Sequence, residues 1–286
     1  MIANMMTQMG NHRITPDEGL LRHMILNSLR MNRMKFKNEF GEMVIACDGR
    51  KSWRKEKFPY YKVRRAINKS ASELDWSTIF EYLNRIRDEL KEYFPYPVLH
   101  IEGYEADDII AALAHTHGQS TSHKFSSLVT PVLILSGDKD FKQLQSYSNV
   151  KQYNPVQKNW VTHPYPERYR YELIIRGDSG DDVPNIRSDD DTFVTNKRQK
   201  PIMGPKLEKW TDELIAGKDP QEVFTDSLYR NWCRNKEVVD LWEQNEETQK
   251  KVIAALEEQT GKGRDKLFNY FIKYKLKSLM ESINDF

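Results

Sequence analysis

Apolar residues recur three and four positions apart from Asp17 to Met34, where Leu20, Leu21, Met24, Ile25 and Leu29 predict a helix. A longer helix is predicted from Ser72 to Phe94, with Trp76, Ile79, Phe80, Leu83, Ile86 and Leu90 on one face and Pro95 and Pro97 ending it. Short apolar runs of another kind lie around these stretches. Glu42 to Asp48 reads as a buried strand ending in a carboxylate, Val98 to Ile101 as a second strand, and Pro131 to Ser136 as a third. None alternates with period two, and helical segments (Ala106 to His115, Phe141 to Leu144) follow them. That pattern predicts a parallel sheet covered on both sides. Gly118 to Ser127, rich in Ser and Thr, predicts a loop. From about Pro164 the strand signals stop. Helical patterns cover Pro166 to Arg176, Pro205 to Ala216, Gln221 to Cys233, Glu237 to Gln259 and Asp265 to Ile283. The expected organisation is an α/β domain over 1–163 followed by a helical domain over 164–286. Asp189 to Asp191 followed by Lys197 to Lys200 reads as an exposed, mobile insertion.

Composition narrows the class. The chain has 286 residues, 38 % apolar and 11 % aromatic, enough to build a core. No apolar run nears the roughly 18 residues of a membrane span, and no signal peptide is predicted. Cys47 and Cys233 are too few for a disulfide scaffold or a thiolate zinc site. A soluble protein of a reducing compartment is expected. The formal net charge of +2 conceals opposed blocks. Arg50 to Lys69 holds nine cations against Glu56 alone, interleaved with Trp53, Phe58, Tyr60 and Tyr61. Such a run repels itself unless anions neutralise it, so it predicts a phosphate-binding segment with aromatics for base stacking.

The acidic residues cluster after the strands. Asp48 ends the first and Asp138 and Asp140 follow the third; Glu105, Asp107 and Asp108 lie within a few residues of the second. Gly177 to Asp182 forms a further acidic group with Asp178 and Asp181. Ligands of such sheets bind beyond the carboxyl ends of the strands. Singly, each motif is an ordinary first turn or capped loop. Together in one cleft they could not all ionise without compensation. Divalent cations with hard oxygen ligands supply it, and two of them can activate water and stabilise a leaving oxygen.

These motifs, in order Val44–Asp48, Ser52–Arg65, Tyr104–Asp108, Ser136–Phe141 and Gly177–Asp181, resemble the 5′-nuclease (flap endonuclease, 5′–3′ exonuclease) superfamily, most closely its phage ribonuclease H branch. The resemblance implies a PIN-like parallel-sheet nuclease core followed by a helical domain with a helix–turn–helix variant. It implies a Mg²⁺-dependent enzyme, with two ions that Mn²⁺ can replace. The activity implied is removal of RNA primers and adjacent DNA from lagging-strand fragments and cutting of 5′ flaps. Carried over by position, Asp48, Glu105, Asp107 and Asp138 serve one ion and Asp140, Asp178 and Asp181 the other. Lys62 and Arg65, helped by Arg54, act on the scissile phosphate. Arg50, Lys51, Trp53, Lys55, Tyr60, Tyr61, Arg64 and Lys206 bind nucleic acid. The helix–turn–helix variant begins at Asp182–Ile186 and closes at Ile202–Lys206. The substrates implied are RNA–DNA hybrid and flapped or forked duplex. The partners implied are a single-strand-binding protein and a sliding clamp, in the cytoplasm of an infected host.

The family also begins with an apolar strand ending in a ligand Asp. Met1 to Gln8 resembles the helix after that strand, and no Asp or Glu precedes Asp17. The expectation is a true start further upstream, and weak metal binding, low activity and reduced stability for the chain as given. Two alternatives stand beside an active nuclease: a non-catalytic nucleic-acid-binding homologue, and a carboxylate–metal phosphoesterase of small molecules, against which the basic aromatic segment argues.

Overall fold

The computed structural model describes residues 17–72, 74–118, 130–242 and 246–286. The first predicted helix is α1 (Glu18–Phe40). The Asp17 carboxylate accepts the Leu20 amide at its start, and Gly41 closes it with an N–H on the Lys37 carbonyl. The chain continues through β1 (Ile45–Cys47), α2 (Arg54–Lys57), α3 (Val63–Ser70), α4 (Trp76–Tyr93), β2 (Val98–His100), α5 (Ala106–His117) and β3 (Val132–Leu135). A 3-10 segment, Lys139–Ser146, leads to β4 (Val150–Asn154) and β5 (Asn159–Val161). Then come α6 (Pro166–Arg176), α7 (Gly204–Ile215), α8 (Pro220–Val223), α9 (Asp226–Val239), α10 (Glu246–Glu257), α11 (Leu267–Lys273) and α12 (Lys277–Met280). An α/β half thus precedes a helical half, as the alternation of patterns predicts. Among the described residues no helix is long and apolar enough to cross a membrane. The predicted loop beyond Gly118, and the Met1–Gln8 segment, lie outside the described residues.

β1 and β2 run parallel with Ile45 opposite Val98, and β3 and β4 run parallel with Val132 opposite Val150. The sheet structure departs from an all-parallel expectation: β5 pairs antiparallel with β4, Tyr153 opposite Trp160. Neither strand was visible in the sequence because β4 buries polar groups. Gln152 is 1 % exposed, and its amide donates to the Ser136 and Asp138 carbonyls at 2.9 and 2.7 Å. The Asn154 side chain accepts the Val156 and Gln157 amides. Among the described residues the strands form two sheets, β1–β2 and β3–β4–β5.

Three helical expectations are corrected. The pattern Gln221–Cys233 is two helices, split where Phe224 extends and buries itself. The pattern Glu237–Gln259 breaks at Asp240, whose carboxylate is held by Arg170 and accepts the Trp242 amide at 2.9 Å. The pattern Asp265–Ile283 breaks at Lys275 (φ 54°), where the Leu276 amide returns to the Phe271 carbonyl. The 187–200 insertion is exposed at Asp189, Lys197, Arg198 and Lys200, as expected, but the segment is tied to the body of the protein. Ser188 and Thr192 are buried, Asp190 pairs with Arg230 and Arg234, and Asn231 donates to the Ile186 carbonyl.

The apolar core crosses the expected boundary at 163/164. Leu21, Ile25 and Leu29 of α1 and Ile79, Ile86 and Leu90 of α4 pack with Leu267, Tyr270 and Phe271 of α11 and with Phe286. Inside this cluster Glu89 accepts from Arg22 at 2.8 Å and from the Tyr270 hydroxyl at 2.8 Å, so a buried carboxylate is fully partnered. A second cluster joins Phe58 and Tyr61 of the basic segment to Ile174 of α6, Leu207 and Trp210 of α7 and Trp232 of α9. Both clusters therefore mix residues from the two halves.

One polar device closes the edge of β2. Gln259 accepts the Val98 amide and donates to the Val98 carbonyl, both at 2.9 Å, with Val98 fully buried. Gln259→Met keeps the volume and strands both groups away from water. Urea unfolding should show a loss of about 2–3 kcal/mol; an unchanged midpoint would refute this role.

Candidate active site

The first turn of α5 carries three acids in different roles. Glu105 and Asp108 form a reciprocal cap: the Glu105 side chain accepts an amide of that turn, and Asp108 accepts the Glu105 amide at 2.8 Å. Asp108 is 1 % exposed and takes a two-pronged contact from Arg54, at 2.9 and 2.7 Å, and the Trp53 indole N–H at 3.2 Å. Arg54 is itself buried; it donates onward to the Val238 carbonyl at 2.8 Å and reaches Glu105 at 3.2 Å. Asp107, between the two caps, is left to face the cleft. Asp48 reaches the same turn from the end of β1, accepting the Ala106 amide at 2.8 Å. The chain can approach this closely because residue 49 is glycine: a Cβ there would lie 2.5 Å from the Ile101 carbonyl oxygen.

The Asp138–Asp140 turn follows β3. Asp138 accepts the Asp140 amide at 3.0 Å, and Gln152 grips the turn from behind through the Asp138 carbonyl. The third acidic turn follows α6. Gly177 (φ 66°) starts it at a position where a Cβ would meet the Val183 carbonyl oxygen at 2.3 Å. The turn closes by a bridge between Asp178 and Val183. Asp178 accepts the Gly180 amide at 2.8 Å and pairs with Lys139 at 2.9 Å.

The basic segment lies against these turns. Lys62 Nζ is 2.7 Å from Glu105 and 3.5 Å from Asp181, and Arg65 is 2.7 Å from Asp181. The Tyr61 hydroxyl lies 2.8 Å from Glu105 and 3.1 Å from Asp181. Tyr61 is 2 % exposed, so it is a buried bridge and not a stacking surface for a base. Trp53 is likewise committed, through its indole N–H to Asp108 and through its ring to Arg54. Arg54, expected at the phosphate, is interior and acts on the rim through Asp108 and Glu105. Tyr60 remains half-buried, near Asp189–Asp191 and Arg230. Arg50, Lys51 and Lys55 are exposed and carry no ion pair among the described residues. Lys206 is exposed in the first turn of α7, its ammonium 4.8 Å from the centre of the Trp210 ring.

The charges are only partly balanced. Burial opposes ionisation of Glu105, but Lys62 and Arg54 outweigh it and hold its carboxyl below the usual range. Burial likewise opposes the charge on Lys62, and Asp181 and Glu105 override it, so the ammonium is held more firmly than usual. Asp181 is pushed up by burial in spite of Lys62 and Arg65. Asp107 is pushed up to about 7, by burial and then by Asp138. Asp140 is driven well above the carboxylate range by burial and by Asp138 and Asp178, and its Oδ1 is buried without a hydrogen-bond partner. Asp107, Asp140 and Asp181 line one cleft with Arg54 and Tyr61, with about 10 Å³ of space. That is close to the least that accepts one water-sized particle.

Among the described residues no three His, Cys, Asp or Glu side chains stand close enough together to hold a metal ion as they are. The chemistry of the cleft still suits a divalent cation. Its donors are hard carboxylate oxygens, one buried oxygen has no partner, and burial and neighbouring carboxylates raise the affinity of Asp107 and Asp140 for protons. The residues present therefore fit such an ion, with Asp107, Asp138 and Asp140 nearest to the uncompensated charge.

Comparison with known proteins gives the family. Residues 6–170 match the family described as 5′-3′ exonuclease, N-terminal resolvase-like domain. The chain belongs to the 5′–3′ exonuclease family. Residues 166–286 match the family described as T4 RNase H, C terminal. The chain is 33 % identical over 274 residues to ribonuclease H of Enterobacteria phage T4, across 93 % of this chain and 87 % of that one. It is 38 % identical over 98 residues to a 5′-3′ exonuclease of Aquifex aeolicus, 32 % of this chain and 31 % of that one. The fold resembles the phage T5 5′-exonuclease with bound zinc, at TM-score 0.52 and 20 % identity, covering 87 % of this chain and 89 % of that one. It also resembles the T5 flap endonuclease in complex with DNA and metal ions, at TM-score 0.51 and 20 % identity, covering 86 % and 88 %.

For this 5′–3′ exonuclease-family chain, sequence reading missed the residues that hold the acids in place. Gln152, Lys139 and Asp182 belong to that set. Lys139 and Asp182 carried only the signal of standing next to acids of the motifs, and Gln152 carried none.

The raised carboxyl of Asp107 gives a pH test. Its folded-state value of about 7 exceeds the ordinary 3.8, so the protonated form is favoured and metal-free stability falls as pH climbs from about 4 to about 7. In chelator at pH 8, Asp107→Asn should therefore be more stable than the parent by about 1–2 kcal/mol, allowing for solvent screening, and no different at pH 4. Added Mg²⁺ at pH 8 should raise the parent's melting temperature more than the variant's. Identical unfolding at both pH values would exclude the repulsion described.

Proposed function

We propose that this chain is a Mg²⁺-dependent 5′ nuclease acting on RNA–DNA hybrids and on flapped or forked duplex DNA. It removes RNA primers and adjacent DNA from lagging-strand fragments in an infected host cell. The observation that carries the reading is a rim of carboxylates with a buried Asp140 oxygen that has no partner among the described residues, faced by Lys62 and Arg65 and flanked by Arg50, Lys51 and Lys55, which carry no ion pair among the described residues. A phosphodiester backbone supplies the charge those cations lack.

In this reading Asp48, Glu105, Asp107 and Asp138 serve one ion, and Asp140, Asp178 and Asp181 the other. Bound there, divalent ions would supply an activated water and stabilise the departing oxygen. Lys62 and Arg65 exchange their carboxylate partners for the scissile phosphate and hold it in place. Arg50, Lys51 and Lys55 follow the backbone, and Lys206 contacts the duplex from the first turn of α7. Arg54 keeps Asp108 and Glu105 in register. A single-strand-binding protein and a sliding clamp are the partners this role implies.

A second reading is a binding homologue with weak or no cleavage. Cleavage of a 5′-labelled RNA–DNA hybrid with Mg²⁺ and with chelator separates the two. Asp138→Asn should abolish Mg²⁺-dependent cleavage and leave binding nearly intact. Lys62→Ala should lower kcat about 100-fold with KM within a factor of a few. Binding without any Mg²⁺-dependent cleavage would decide for the second reading.

Affinity should fall steeply with salt, and alanine at Arg50, Lys51 or Lys55 should each reduce the logarithmic slope by about one. A flat salt response would remove the backbone contacts from the proposal.

A further inference from the structure

We propose that Arg64 and Asp182 form a clamp that seats helix α3, and with it Lys62 and Arg65, over the acidic rim, and that Phe193 of the 187–200 insertion completes it. The charge pattern suggested a phosphate contact for Arg64, but its guanidinium is committed within the protein. Nε donates to Asp182, Nη2 donates to the Ser179 carbonyl at 2.6 Å, and the group lies 4.5 Å from the centre of the Phe193 ring. Asp182 is 1 % exposed, and its other oxygen accepts the Arg64 amide at 2.7 Å. It thus caps α3 from a turn 118 positions away.

α3 needs such a cap. Lys62, before it, is left-handed (φ 57°) and gives no side-chain cap, and no residue of α3 is buried. Its far end rests on the Phe80 ring through Lys69, 3.4 Å from the centre. With no apolar face to dock, the position of its near end depends on polar ties. The same turn supplies the ties to the backbone of this end: the Lys62 amide donates to the Asp181 carbonyl at 3.0 Å, and Asp182, which accepts the Arg64 amide, follows directly. Phe193 is held in turn by its own segment, which Asp190 ties to Arg230 and Arg234 of α9. The clamp therefore links the carboxylates to the cations opposite them, and gives the insertion a mechanical role. Arg64 and Asp182 are positioning residues, and the rate effect expected of them rests on the nuclease reading above.

Three measurements on the full chain test the clamp. In metal-free protein, amide hydrogen exchange over residues 63–70 should quicken about 10-fold in Arg64→Gln and in Asp182→Asn, and the double variant should be no faster than either alone. Arg64→Lys keeps the charge but cannot span Asp182 and Ser179 together, so it should behave like Arg64→Gln. Phe193→Leu, which removes the ring and spares the ion pair, should show a smaller increase. Metal-free affinity for the hybrid and its salt slope should be unchanged in both Arg64 variants, while kcat falls about 10-fold at constant KM. Unchanged exchange in Arg64→Gln and Asp182→Asn overturns the clamp. So does a salt slope reduced by about one in Arg64→Gln and restored in Arg64→Lys, which marks a phosphate contact. Should the parent fail to cleave, the nuclease reading falls alone, and exchange and binding still decide the clamp.

Discussion

Carboxylates brought together from distant turns repel one another, and burial deepens the repulsion. Beyond burial itself, the charge of Asp138 raises the affinity of Asp107 and Asp140 for protons, and Asp178 adds to it at Asp140. The protein answers part of this charge with its own cations: Lys62 on Glu105, Arg65 on Asp181, Lys139 on Asp178 and Arg54 on Asp108. It leaves the centre, at Asp107 and Asp140, unanswered. A partly neutralised rim with an unsatisfied middle holds together alone yet still gains from a cation.

Such a rim requires turns that cannot relax apart. Two of the acidic turns are fastened by a buried polar contact that has no part in chemistry, the Arg54–Asp108 fork and the Gln152 amide, and the third depends on the close approach at Gly177. Removing one partner of such a contact costs more than the contact itself contributes, because the other is stranded away from water. That asymmetry keeps the geometry stiff even though the charges push outward.

The two halves of the chain share this burden. Phe58 and Tyr61, inside the basic segment, belong to the apolar cluster of α6, α7 and α9, and the Tyr61 hydroxyl bridges acids from both halves. The last helices return to pack on α1 and α4. The cations are therefore carried on an element anchored in the helical half, and most of the acids on the ends of strands.

Local patterning was enough to read the α/β-then-helical order, the turns that carry the acids and the one-signed basic block, because periodicity and charge runs are properties of neighbouring residues. It was not enough to find β4, whose buried Gln152 and Asn154 imitate a loop, its short partner β5, or the breaks at Asp240 and Lys275. Nor did it separate the cations by task. Arg50, Arg54 and Arg64 look alike in a basic run; one faces solvent, one is buried under Asp108, and one is bound to Asp182. Which charge finds which partner depends on pairings between residues tens to more than a hundred positions apart, and only the folded chain brings those within hydrogen-bonding distance.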